Sequence, residues 1–92
     1  MRAKIVRKQS TQIRETPGIN GGYPRIGDTR IAVRTVIERY RATGSLEETI
    51  GAFPQLTREQ VEAALAYYHA HPARVDEDIA RNARTWAELT AP

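Results

Sequence analysis

Pro17-Gly18-Ile19-Asn20-Gly21-Gly22-Tyr23-Pro24-Arg25-Ile26-Gly27-Asp28-Thr29-Arg30-Ile31-Ala32-Val33 is a glycine-punctuated stretch that runs directly into three short amphipathic segments ending near Tyr68. Pro-Gly and Gly-Gly mark Thr16 to Gly22 as a loop. Arg25-Ile26 and Thr29-Arg30-Ile31 flank Gly27-Asp28, and a two-residue connection with glycine first suits a type II′ hairpin turn. Arms this short need helices packed against them to persist. A hydroxyl such as that of Thr29 can satisfy free backbone groups at a turn, and an arginine such as Arg30 can tie a loop down through carbonyls or reach a phosphate.

Downstream, Val33, Val36, Ile37 and Tyr40 share one face of a helix predicted over about Val33–Thr43, which Gly44 ends. Ser45 with Glu48 three residues on reads as a capping box for a second helix, whose buried face is Leu46, Ile50 and Phe53 and which Pro54 stops. Thr57 with Gln60 reads as the same device on a third helix, with Val61, Ala64, Leu65 and Tyr68 as its core stripe and His71-Pro72 as its end. A fourth helix is predicted from about Ala73 to Leu89. Its Val75, Ile79, Asn82, Trp86 and Leu89 recur at 4, 3, 4, 3, a seam spaced for a neighbouring helix or a groove. Upstream, Lys4–Arg7 reads as a short strand and Gln12–Arg14 as a second. The expected fold class is α+β, mostly α: a short N-terminal β element, a three-helix core with a helix-turn-helix, and a C-terminal helix. Residues 1–71 form the core unit and 72–92 the helical tail.

A chain of 92 residues supports one domain with a modest core, which dimerisation would help. The absence of cysteine excludes disulfides and thiolate metal sites and fits a reducing cytoplasm. No apolar run spans a bilayer and no signal-peptide core is evident, so a cytoplasmic protein without a membrane partner is expected. Net charge is +3, unevenly placed. Residues 1–41 hold ten Lys/Arg against three acids, a net of +7; residues 42–92 hold four against eight, a net of −4. Segregation of this size predicts a first half that faces a polyanion.

The second and third helices, joined by about three residues, have helix-turn-helix spacing. Recognition of DNA would fall to Gln55, Thr57, Arg58 and Gln60, since arginine forks onto guanine and glutamine onto adenine, while threonine at a helix N-terminus can hold phosphate. Arg25, Arg30, Arg34 and Arg41 would add phosphate contacts. Many three-helix domains with such a turn bind only protein, and Glu59 and Glu62 on the same helix repel phosphate. An enzyme is not expected. His69 and His71 do not share a helical face, no nucleophile-base pair can be assembled, no P-loop is present, and no cofactor or metal is implied. Asp76, Glu77 and Asp78 read as a charge run suited to a helix N-terminus, and Tyr67-Tyr68 as core and rim.

Pro17-Gly18-Ile19, Gly21-Gly22-Tyr23-Pro24-Arg25-Ile26, Thr29-Arg30-Ile31-Ala32-Val33, Phe53-Pro54-Gln55-Leu56-Thr57 and Ala64-Leu65-Ala66-Tyr67-Tyr68 together resemble domain-of-unknown-function family 433, over roughly two thirds of the chain. The chain departs from the family's pattern where Asp28 stands before Thr-Arg-Ile, where Ala32 follows it, and at Tyr23. The resemblance implies an antitoxin similar to the VapB type: a dimer that silences a PIN-like ribonuclease toxin and binds operator DNA to repress its own operon. Under it, Val75, Ile79, Trp86 and Leu89 would anchor the toxin, and Arg81 and Arg84 would pair with its metal-binding carboxylates. A stand-alone transcription regulator and a protein-only adaptor are the other two readings, and the tail helix can equally close a dimer.

Overall fold

The computed structural model describes residues 10–91, so the strand expected at Lys4–Arg7 lies outside the described residues. Two strands, β1 (Ile13–Arg14) and β2 (Arg25–Ile26), pair antiparallel, with Ile13 opposite Ile26 and Arg14 opposite Arg25. A tight turn at Asn20–Gly22 lies between them. Four helices follow: α1 (Val33–Thr43), α2 (Leu46–Ala52), α3 (Arg58–Ala70) and α4 (Pro72–Thr90). The molecule is therefore α+β and mostly helical.

Helix boundaries follow local chemistry. Gly44 takes the left-handed conformation (φ 68°) and its N–H donates to the Tyr40 carbonyl, closing α1. The Ser45 hydroxyl accepts from the Glu48 N–H to open α2. Thr57 and Gln60 form a complete reciprocal box on α3: Thr57 Oγ1 accepts from the Gln60 N–H at 3.1 Å and Gln60 Oε1 accepts from the Thr57 N–H at 2.9 Å. The α3–α4 junction is a single residue, His71, followed by Pro72 at the first helical position. The boundary at His71 is thus a sharp helix junction with no linker.

The core gathers Ile26, Val33, Val36, Ile37, Leu56, Val61, Ala64 and Val75. Burying each of the larger side chains contributes about 1.5–3 kcal/mol. Leu46, Ile50 and Phe53 of α2 pack against this cluster half-buried, while the fully buried residue of α2 is Thr49, whose hydroxyl donates to the Ser45 carbonyl at 2.8 Å.

The hairpin differs from expectation. Thr29 N–H does donate to the Ile26 carbonyl, closing a turn around Gly27 (φ 53°) and Asp28. The ladder then skips: Ile26 N–H donates to the Ile31 carbonyl, not that of Thr29. The reason is Arg25. Its guanidinium lies against the loop and donates to the carbonyls of Gly27 (2.8 Å) and Thr29 (3.0 Å) and to Thr16 Oγ1 (3.2 Å). The arginine that ties the loop is Arg25, not Arg30, which is exposed. Thr29 does satisfy the turn, donating to the Ile26 carbonyl and accepting from the Ile31 N–H.

Gly27 also makes a close approach. A Cβ there would sit 2.4 Å from the Ser10 carbonyl oxygen, at a φ that side chains rarely adopt. Gln60 holds the other side of that contact, its Nε2 donating to the same Ser10 carbonyl at 2.9 Å. Gly27→Ala is expected to lower the unfolding free energy by about 2–4 kcal/mol in urea titrations, through strain and a displaced N-terminal segment. Gln60→Ala removes half of a cap and a buried tie and should cost about 2 kcal/mol by the same measurement; an unchanged midpoint would contradict the role assigned to Gln60.

Candidate functional site

The α2–α3 pair is joined through Phe53–Thr57, with Leu56 buried and its N–H donating to the Phe53 carbonyl. Gln55 stands exposed on the connection. At the start of α3 the four expected readers divide. Gln60 is 1% exposed, its amide wholly engaged by Thr57 and Ser10, so it cannot present an edge to a base. The Thr57 hydroxyl is committed to the cap. Arg58 is exposed but held between Glu47 (2.6 Å) and Glu62 (3.7 Å). The Glu47 hydrogen bond, then the Glu47 charge, raise the Arg58 pKa above its ordinary value. With Glu48 and Glu59 also exposed, the tip of α3 is acidic around one neutralised arginine.

The basic residues expected to hold phosphate are also largely engaged. Arg25 is 9% exposed and spent on loop carbonyls. Arg34 is enclosed between Glu38 (3.7 Å) and Asp78 (3.4 Å). Arg41 pairs with Asp76 at 3.1 Å, and Arg74 with Glu15 at 3.3 Å. Three of these ion pairs, Arg34–Asp78, Arg41–Asp76 and Arg74–Glu15, join the two halves of the sequence across the fold. Arg2, Lys4, Arg7 and Lys8 alone bring +4, so residues 10–92 carry a net −1. Of the arginines expected to hold phosphate, Arg30 and Arg41 are exposed, and Arg41 is paired with Asp76.

The other candidate surface is α4. Its first turns belong to the core: Val75 is 1% exposed and Ile79 packs half-buried beside it. Val75 is therefore not available to a partner. Asp78 is also 1% exposed, and the charge run around it is not simply a solvated helix start. Asp78 accepts from Arg81 at 2.6 Å and from the Asn20 amide at 3.2 Å, and faces Arg34 from α1. The signal was present in the sequence, because Asp78 is three residues from Val75 and next to Ile79, on the buried side of the helix.

Arg81 is thereby fixed to its own body. It stacks on Tyr23 at 4.7 Å while Arg74 lies over the same ring at 4.2 Å. The Tyr23 hydroxyl donates to Glu77 at 2.7 Å, and that bond, with lesser burial, raises its pKa. Tyr67, whose hydroxyl donates to Glu15, is pushed up to about 12, first by burial and then by that bond.

From residue 83 onward every described residue of α4 is exposed. Trp86 is 60% and Leu89 72% exposed, and Arg84 accompanies them. Among the described residues no group of three His, Cys, Asp or Glu is placed to hold a metal, and no helix is long and apolar enough to cross a membrane.

No curated protein matches the chain. A crystal structure of a DUF433 member protein from Anabaena variabilis is similar, with 38% sequence identity and a TM-score of 0.66, over 74% of this chain and 67% of that one. The family model described as a protein of unknown function, DUF433, matches residues 13–68, from β1 to the last turns of α3, and stops short of α4. By that match and that identity, the chain belongs to the DUF433 family.

Proposed function

We propose that this protein is the antitoxin of a PIN-like ribonuclease toxin and represses its own operon, acting in the cytoplasm. The observation that carries the reading is the exposed end of α4. Trp86 and Leu89 lie three residues apart on one side of a helix whose earlier turns are anchored in the core. A large apolar side chain held on a rigid, exposed helix is the usual form of an anchor for a protein groove. Arg81 no longer fits the role of displacing a toxin's metal, because Asp78 holds it at 2.6 Å. Arg84 keeps that role under this reading. It is two residues from Trp86, so it points to the opposite side of the helix and would reach a different part of the nuclease.

DNA binding, in this proposal, is redistributed. The reading of bases by α3 is limited to Gln55 and to Arg58 released from Glu47 and Glu62. Phosphate contacts would come from Arg30 and from the four basic residues of the first nine. A protein-only adaptor is the reading favoured by the acidic tip of α3.

This reading requires a PIN-like ribonuclease reading frame beside its own, whose absence would refute it, and co-expression of the two proteins tests the first half. The full chain should abolish RNA cleavage. Trp86→Ala should weaken inhibition about 30-fold or more, as an anchor worth ~2 kcal/mol does, and truncation after Asn82, which keeps the core-packed turns of α4, should remove it. Inhibition that survives both changes would refute the assignment to α4. Fluorescence titration of the promoter duplex tests the second half. Each phosphate contact contributes about −0.9 to the slope of log affinity against log salt. Replacing Arg2, Lys4, Arg7 and Lys8 by Ala should flatten that slope by roughly 3–4, and Arg58→Ala by at most about 1. Salt-independent or undetectable binding would leave the adaptor.

A further inference from the structure

The described residues carry two exposed apolar features, at opposite ends of α4. One is the Trp86–Leu89 arm. The other is a cavity of about 320 Å³ between α1 and α3, lined by Ile37, Tyr40, Arg41, Leu65, Tyr68 and His69. Tyr40, at 37% exposure, is the third exposed large apolar side chain. The cavity lies beside the beginning of α4, because Arg41 and the Tyr68 hydroxyl, on its wall, both donate to Asp76. Asp76 and Trp86 are ten residues apart on one straight helix, hence about 15 Å. The arm cannot fold back into the cavity of its own chain.

We infer that a second copy of this chain covers both features, in a two-fold dimer with exchanged arms: Trp86 of each copy enters the α1–α3 cavity of the other. An antiparallel pairing places the end of one α4 beside the beginning of its partner's, so both contacts form at once and the assembly closes. Every described residue of α4 from 83 onward is exposed, so the arm stands clear of its own body.

The chemistry of the arm fits an apolar cavity. Thr85 donates its hydroxyl to the Arg81 carbonyl at 3.0 Å and Thr90 to the Trp86 carbonyl at 2.8 Å. Both therefore present methyl groups with the hydroxyl proton already satisfied. Arg84 and Glu88, each two residues from Trp86, lie on the opposite side of the helix, so the face that enters the cavity is uncharged.

Size also separates the alternatives. A buried Trp removes about 150–250 Å² from water. Two such contacts, with Leu89 and the cavity walls, reach on the order of 1,000 Å², the threshold a specific interface must clear; two arms packed only on each other, without the cavity walls, fall short of it. The nuclease is not needed for this inference, though it would compete for the same Trp86, so the test uses the antitoxin chain alone.

Sedimentation velocity over a concentration series should show a dimer. Trp86→Ala should weaken it at least about a hundredfold, because one anchor is lost from each of two contacts. Tyr40→Glu, at the cavity mouth, should do the same. Mixing those two variants should restore a heterodimer tighter than either homodimer, since one arm and one cavity remain intact in the pair. The chain has no cysteine, so Leu89→Cys and Tyr40→Cys give a clean cross-link: a disulfide dimer should form from the mixture and from neither alone. A monomer at all concentrations, no recovery on mixing, or rapid self-cross-linking of Leu89→Cys would each overturn the exchanged-arm dimer.

Discussion

The carboxylate of Asp78 is the point on which the arrangement of this molecule turns. It is almost fully buried, and three separate parts of the chain converge on it: Asn20 from the glycine-rich turn, Arg34 from α1 and Arg81 from α4 itself. A buried carboxylate is tolerated only when paired and hydrogen-bonded, and stripping one partner from such a group costs about 3–5 kcal/mol. The turn, α1 and α4 are therefore obliged to meet at one place. Asn20 holds a left-handed conformation (φ 53°) to bring its amide there, a strain that asparagine tolerates better than most residues.

That constraint sets what α4 can present. Val75 and Asp78 pin its first two turns to the core, Arg81 ends the pinned part against Tyr23, and the helix continues outward without support. The result is an anchored base and an exposed tip on one rigid rod. Binding through the tip requires no reordering of the backbone, which limits the entropy lost on association. The same geometry explains why the arginines of this helix do not act as a set. Arg74 and Arg81 are absorbed into the Tyr23 cluster, and Arg84 alone stands free of it.

Charge provides the second lesson. The basic first half and acidic second half read, along the chain, as a polyanion-binding surface and something else. In space part of that charge is spent between the halves, through Arg34–Asp78, Arg41–Asp76 and Glu15–Arg74, while the other ion pairs among the described residues form within one half. The two exposed pairs, Arg41–Asp76 and Glu15–Arg74, add little stability, about 0–1 kcal/mol each. They reduce the field that the linear count suggests, and the first nine residues hold +4 of the +7 carried by residues 1–41.

Local rules were enough to determine the helices of this protein. The 3.6-residue periodicity of Val33, Val36 and Ile37, the Gly44 stop and the Thr57–Gln60 cap depend on neighbours within four residues and stand where those rules put them, whereas Tyr40 of the same stripe is exposed and the Ser45–Glu48 box is half formed. The exposed Trp86 was legible for the same reason, as part of a seam too long for the body to cover. The hairpin register, the burial of Gln60, Arg25 and Asp78, and the neutralisation of Arg58 were not. Each depends on a contact far along the chain, such as Gln60 with Ser10 or Asp78 with Asn20, separated by 50 and 58 residues. A polar side chain looks alike in sequence whether it is destined for water or for a buried partner; only the packed fold decides which groups it meets, because desolvation and pairing act through space and not along the backbone.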